Sequence, residues 1–230
     1  MLLMGLREAV LEANLELVRR GLVLYTFGNA SGVDREQGLV VIKPSGVDYD
    51  ELRPEHMVVT DLDGKIVEGT LKPSSDLDTH TLLYREFLEI GAVVHTHSEF
   101  ATSFAQAGMA IPPFGTTHAD YFHGPVPVTA PLSDAAIEGR YVPETGLAIV
   151  ERFRDLDPMA VPACLVAGHA PFAWGKTPAD AAHNAVVLEA VAKMAYRTLT
   201  LKASADEVSQ ALLDRHYMRK HGKNATYGQG

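Results

Sequence analysis

Cysteine is nearly missing from this chain. Cys164 stands alone among 230 residues, so no disulfide can close within it, and a reducing compartment suits it best. Long apolar runs are missing too, and nothing approaches the roughly 18 residues a membrane-spanning helix requires. Excess positive charge is lacking: 20 Lys and Arg face 29 Asp and Glu, for a formal net charge of −9. That balance argues against a general nucleic-acid binder, which must offer phosphates a basic face. The opening MLLMGLREAV meets Arg7 and Glu8 before a signal-peptide core could form. A soluble, cytoplasmic protein is therefore expected. Aromatics are scarce at 7%, but 47% of the residues are apolar. A chain of this length buries roughly 70% of its unfolded surface without a disulfide or metal to help, and one domain over residues 1–230 is expected.

Hydrophobic spacing gives the elements. Leu6, Val10, Ala13, Leu17 and Val18 recur every three or four residues, which predicts a helix over 5–20 closed by Gly21. Strands are expected at 22–25, 39–42 and 57–60, the last turning through Asp63-Gly64 into 65–68. Asp76 is placed to cap a helix reaching Glu89. Gly91 then releases the chain into a buried strand at 92–97, and a short helix runs from Glu99 to Ala107. Residues 111–131, rich in Pro, Gly and His, suggest loop and short strands, with further strands at 147–150 and 163–167. Thr177-Pro178 starts a helix to about Lys202. Ser204-x-x-Glu207 has the capping-box pattern for a last helix to about Lys220. Strands and helices interleave without a linker or repeat, so an α/β domain with helices covering a central mixed, largely antiparallel sheet is expected.

Within AVVHTHS, strand alternation puts His95 and His97 on one face and Thr96 on the other. Two imidazoles so placed can share one metal ion. His169, in a Gly-bearing loop after an apolar strand, is a candidate third ligand, and Asp76 in PSSDLDTH is a candidate carboxylate. His80 and His183 fall in helical patterns and are expected to pack or face solvent. Three small-residue loops, Gly28-Asn29-Ala30-Ser31, Lys43-Pro44-Ser45-Gly46 and Pro73-Ser74-Ser75, offer hydroxyls and open backbone N–H groups suited to an anion. Lys43 adds charge, and the third loop leads into a helix N-terminus. None matches a nucleotide-binding phosphate loop or dinucleotide fingerprint.

Taken in order, GNAS, KPSGVDY, PSSD, HTHS, GTTHADYF and HAPFAWG resemble the class II aldolase and epimerase family over essentially the whole chain. Within it, the nearest resemblance is to the L-ribulose-5-phosphate 4-epimerases. The resemblance implies a three-layer α/β/α fold and a homotetramer with active sites between subunits, acting on a small sugar phosphate. It implies that Asp76, His95, His97 and His169 surround zinc, or another divalent ion such as manganese or cobalt. It implies substrate and phosphate contacts at Gly28, Asn29, Lys43, Ser45, Gly46, Ser74 and Ser75. Asp120 in HADYF matches the catalytic acid/base, Tyr227 the second proton-transfer group, and His216 and Arg219 residues lining the site from the last helix. Three departures stand out: Ala170 replaces a glycine after His169, Ala167-Gly168 stand where the nearest relatives carry a further His and a Ser, and Phe27 replaces a tryptophan before Gly28.

The implied chemistry explains these residue types. The C4 hydrogen of a 2-ketopentose phosphate is not beside the carbonyl and is not acidic. The family's route is cleavage between C3 and C4, rotation of the aldehyde, and re-addition to its other face. A Lewis-acidic metal offsets the charge on the enediolate fragment. Asp120 and Tyr227 serve the two faces, with His216 tuning or relaying protons, while the anchored phosphate retains the turning fragment. An aldolase of the fuculose- or rhamnulose-phosphate type is the alternative, but those relatives carry Glu where Asp76 stands. A scaffold domain like the adducin head is a third reading, and it lacks the metal histidines retained here.

Overall fold

In a computed structural model that describes residues 1–223 and residue 225, the chain opens with α1 (Met4–Arg19). Its buried face carries the expected Val10, Ala13 and Leu17, and Gly21 closes it at φ +67°. There follow β1 (Asn29–Asp34), β2 (Leu39–Ile42), β3 (Val58–Asp61), β4 (Ile66–Glu68), α2 (Leu77–Glu86) and β5 (Ala92–His95). Three short helices and one longer one come next: α3 (Glu99–Gln106), α4 (Thr116–Ala119), α5 (Asp134–Glu138) and α6 (Tyr141–Arg152). The chain ends with β6 (Ala163–Leu165), β7 (Pro171–Gly175), α7 (Pro178–Leu201) and α8 (Gln210–His221). No helix is long and apolar enough to cross a membrane among the described residues.

Among the described residues, seven strands form one sheet in the order β4-β3-β2-β1-β5-β7-β6. Every strand pair is antiparallel, and the parallel contact is an isolated bridge from Val128 to Leu165. Alternation along β1 shows how the layers form. Ser31 turns toward α2, its Oγ 2.7 Å from His80 Nδ1 and 2.6 Å from the Tyr84 hydroxyl. Gly32 turns the other way, where a Cβ would collide with Leu6 and Val10 of α1 and Pro178 of α7. Helices α1 and α7 thus cover one face, and α2 covers the other, with α6 beside it. On that second face Trp174 packs between Phe87 and Phe153, at ring separations of 5.4 and 5.1 Å. These are the three layers the family resemblance implies.

Several expected elements move. Residues 22–25 run irregularly into a turn at Tyr25-Thr26 instead of forming a strand, with Leu22 buried, Leu24 and Tyr25 exposed, and Tyr25 at φ +51°. The strand lies further on, at Asn29. Residues 147–150 belong to α6, because Thr145, Gly146 and Ile149 make a helical face against α2. At Gly146 a Cβ would stand 2.8 Å from Leu82 Cδ2. The last helix begins later than the Ser204 capping box predicts. Val208 N–H donates to Pro113 C=O (2.9 Å), which ties down the preceding segment, and Ser209 Oγ accepts from Leu212 N–H instead (3.4 Å).

Candidate functional site

Strand pairing sets the site. Asn29 and Phe172 both lie opposite His95 in their respective pairs, so all three face the α2 side. The His95 ring stacks on Phe172, 4.2 Å between centroids and 18° between planes. Its Nδ1 lies 3.0 Å from the Pro171 carbonyl. A carbonyl only accepts, so the proton is on Nδ1 and the lone pair on Nε2. His97 follows just past the strand end, at the exposed side of the site. His169 sits on the β6–β7 turn, closed by Val166 N–H to Ala170 C=O and His169 N–H to Val166 C=O, both 3.0 Å. Gly168 takes the left-handed position there at φ +70°. Ala170 is buried and has no positive φ, so the departure from glycine leaves the turn unstrained.

The three imidazoles each offer one ligand atom within 4.8 Å of the others. Burial lowers all three from the ordinary histidine value, His95 to about 3, so they are neutral donors at pH 7. His169 Nδ1 is buried without a hydrogen-bond partner. Converging neutral imidazoles with an unpartnered ring nitrogen fit a divalent ion of the zinc class. Gly28 closes the back of this group. At φ +77°, a Cβ there would lie 2.8 Å from Val23 Cγ1 and 3.0 Å from the His95 carbonyl oxygen.

Asp76 occupies the N-cap position of α2, but its side chain caps nothing. It accepts instead from Asn29 Nδ2 at 2.7 Å and Ser74 Oγ at 3.4 Å. Burial pushes its carboxyl up, but His95, His80 and the Asn29 amide outweigh that and hold it below the usual range. It stands outside the close three-histidine group and on the same cavity wall. Asn29 Oδ1 is buried without a partner, an acceptor available to a ligand hydroxyl.

Two small-residue loops complete the cavity because the backbone zips them together. Ser45 N–H donates to Lys72 C=O (2.9 Å) and Ser74 N–H to Lys43 C=O (3.0 Å). Lys43 Nζ donates to the carbonyls of Pro44 (3.3 Å) and Val47 (3.2 Å) and lies 4.7 Å from the Tyr49 ring centre. Burial lowers it to about 8, with Asp48 opposing. Gly28, Asn29, Lys43, Ser45, Gly46, Ser74, Ser75 and Asp76 line one cavity of about 410 Å³ with the three histidines. Thr26, Phe27 and Pro44 line it too, and sequence reasoning did not place them there. Phe27 was legible only as the residue before Gly28, and its ring lies 6.4 Å from that of His97.

Asp120, His216 and Arg219 are not on that cavity wall; they form a second cluster. Asp120 closes α4. Arg219 Nε and Nη2 donate to its Oδ1 and Oδ2 at 3.0 and 2.8 Å, and His216 Nδ1 to Oδ1 at 3.0 Å. Burial works against ionisation of Asp120, yet Arg219, His216 and Lys220 more than offset it and hold the carboxyl below its usual range. His221 Nε2–H donates to the Asp120 carbonyl (3.0 Å) and stacks on Tyr217 (4.4 Å). Lys220, His221 and Tyr217 were missed in the sequence, where the charges of the last helix resemble a solvated face. Tyr227 lies outside the described residues.

The class II aldolase and adducin N-terminal domain profile matches residues 8–196. A curated relative, L-ribulose-5-phosphate 4-epimerase UlaF of Salmonella paratyphi C, is 52% identical over 224 residues, 97% of this chain and 98% of that one. Among solved structures, an L-fuculose 1-phosphate aldolase superposes with a TM-score of 0.79 at 24% identity, covering 94% of this chain and 95% of that one. L-fuculose-1-phosphate aldolase from Thermus thermophilus has a TM-score of 0.69 at 27% identity, covering 88% and 98%.

Proposed function

The chain belongs to the class II aldolase and adducin N-terminal domain family, and from that premise we propose that it is a divalent-metal-dependent L-ribulose-5-phosphate 4-epimerase. It interconverts L-ribulose 5-phosphate and D-xylulose 5-phosphate by cleaving and remaking the C3–C4 bond. One observation carries the reading: three neutral imidazoles open onto a cavity whose other wall is two serine- and glycine-bearing loops. The first group suits a metal and the second a phosphate. Full-length likeness to an epimerase supports the choice of substrate.

His95, His97 and His169 would hold the ion, with Asp76 beside them, and zinc suits a donor set rich in nitrogen. When bound, the ion supplies Lewis-acid stabilisation of negative charge developing on substrate oxygens. The hydroxyls of Ser45, Ser74 and Ser75 and the backbone N–H groups of Gly46 and Ser75 bind the phosphate near the N-terminus of α2, whose dipole favours an anion. Lys43 holds its loop in shape from below and adds positive charge. Asn29 offers its unpartnered Oδ1 to a sugar hydroxyl and keeps Asp76 turned into the cavity. One proton-transfer group takes the proton from the C4 hydroxyl as C3–C4 breaks. The other returns a proton once the aldehyde has turned and been attacked on its opposite face. Asp120, steadied by His216, and Tyr227 fill these roles.

Asp120 and its partners do not line the histidine cavity of their own chain, and in this reading a neighbouring subunit brings them. This supports an oligomer with shared sites; a homotetramer acting on free sugar phosphate in the cytoplasm is the form the reading takes. The test is product analysis of zinc-loaded protein with L-ribulose 5-phosphate. D-xylulose 5-phosphate, abolished by a chelator, is expected. Accumulation of dihydroxyacetone and glycolaldehyde phosphate instead would install the aldolase reading.

A further inference from the structure

Strand β1 meets helix α2 along a polar seam that runs from the cavity wall into the core. Asn29 and Ser31 share one face of the strand. Asn29 Nδ2 reaches Asp76 at 2.7 Å, and Ser31 Oγ lies 2.7 Å from His80 Nδ1 and 2.6 Å from the Tyr84 hydroxyl. Asp76, His80 and Tyr84 are spaced four apart, so they follow one another down the same side of α2. The chemistry above uses the first rung alone. His80 and Tyr84 are fully buried, and His80 Nε2 has no hydrogen-bond partner.

The protons along the seam fix the His80 tautomer. Burial lowers the ring to about 4, so it is neutral at pH 7 and carries one proton. Among the described residues, Ser31 Oγ is the acceptor within reach of the Tyr84 hydroxyl proton. With Tyr84 donating to Ser31, Ser31 donates to His80 Nδ1, and the ring proton is on Nε2. That order leaves one group unpaired, Nε2–H. The reverse order strands two, a hydroxyl proton and an Nε2 lone pair. Side chains on a helix lean toward its N-terminus, which brings the His80 ring over the turn that starts at Asp76. Asp76 is the charge acting on that ring, and a bare lone pair there would face a carboxylate. Phe172, whose ring carries His95, packs against His80 at 6.1 Å and 71°.

We propose that His80 is a positioning residue of the metal site. Ser31, oriented by the Tyr84 hydroxyl, locks it as the Nε2–H tautomer. The fixed N–H turns its positive end to the Asp76 carboxylate and holds Asp76 in place beside the ion. The proposal rests on the metal site described above and not on the choice of sugar phosphate.

The test pairs nitrogen NMR of the histidine rings with zinc titration against a chromophoric chelator. In wild type the His80 ring, identified by its loss in His80→Gln, should show a protonated Nε2 and a bare Nδ1. A protonated Nδ1 would overturn the proposal. Loss of an outer-shell partner costs about 10- to 100-fold in metal affinity, and His80→Leu should weaken zinc binding by that much. His80→Gln, whose amide can place an N–H where Nε2–H stood, should restore most of it. Ser31→Ala removes the donor that keeps Nδ1 bare. It should weaken zinc binding with histidine at position 80 and leave it unchanged beside His80→Gln, because an amide has no tautomers. Gln as weak as Leu, or Ser31→Ala losses that simply add to those of His80→Gln, would contradict the lock. If His80→Leu does not fold, the wild-type ring spectrum and the Ser31→Ala pair decide. No zinc uptake by wild type would remove the metal reading along with this proposal, whereas zinc bound equally by wild type and His80→Leu removes this proposal alone.

Discussion

Around the three histidines, buried polar atoms lack partners: Asn29 Oδ1 and His169 Nδ1 have no hydrogen bond. Around Asp120 the opposite holds, since both carboxylate oxygens and the carbonyl are engaged by one helix. The first region is a binding site built in advance by the sheet, with its donors neutral and its acceptors open. The second has its charges satisfied internally, by side chains of α8. Leaving a buried polar atom unpaired costs roughly 1–3 kcal/mol, so the histidine cavity stores a cost that ligand binding relieves. Open donors and acceptors thus lie in the histidine half, and neutralised charge lies in the Asp120 half.

Breaking each half separately should give different failures. His97→Asn is expected to lose the metal and at least about a thousandfold in turnover, the scale of losing the principal electrostatic stabiliser. Elemental analysis beside a turnover assay checks it, and full turnover from metal-free protein would contradict the account. Asp120→Asn should lower turnover about 100- to 10,000-fold, as loss of a general acid/base does, while metal content stays at the wild-type level. A metal-depleted Asp120→Asn would mean that the two regions are not separate.

A smaller effect sharpens the comparison from the backbone. Gly28→Ala should destabilise the fold by about 1–3 kcal/mol, the cost of a strained left-handed residue, and weaken metal affinity because its Cβ presses on the His95 carbonyl. Urea unfolding and a metal titration read both effects. Shared by both halves is a pH dependence. Burial lowers His80, behind the cavity, and His118, two residues before Asp120, to about 4. Unfolded, they titrate near 6.5, so between 6.5 and 4 the unfolded chain binds protons the native one refuses. Stability of the chelated protein should therefore fall as pH drops through that window, by at most on the order of 3 kcal/mol per histidine. A urea midpoint unchanged between pH 7 and 4.5 would contradict this.

The sequence showed the binding half well because its signals are local. Strand alternation in AVVHTHS put His95 and His97 on one side, and the serine loops stood out by composition. It showed β1 poorly. NASGVD has little strand propensity, and it is extended because β2 and β5 flank it and Ser31 has buried partners on α2. The apolar run at 147–150 has no periodicity of its own to separate strand from helix; packing of Gly146 on α2 decides it. The acid/base half was legible only through resemblance. Asp120 and Arg219 are 99 residues apart, and nothing local announces that they meet.

The account turns on a site assembled from two halves that one chain does not bring together, and subunit complementation tests this most directly. His97→Asn and Asp120→Asn, each inactive alone, would be co-expressed and the mixed oligomers assayed for epimerisation. Random assembly into a ring pairs an intact histidine cavity with an intact neighbouring Asp120 in about one quarter of sites, so roughly that share of wild-type activity should return. If both halves served the same chain, every site would carry one lesion, and mixed oligomers as inactive as their parents would contradict the account.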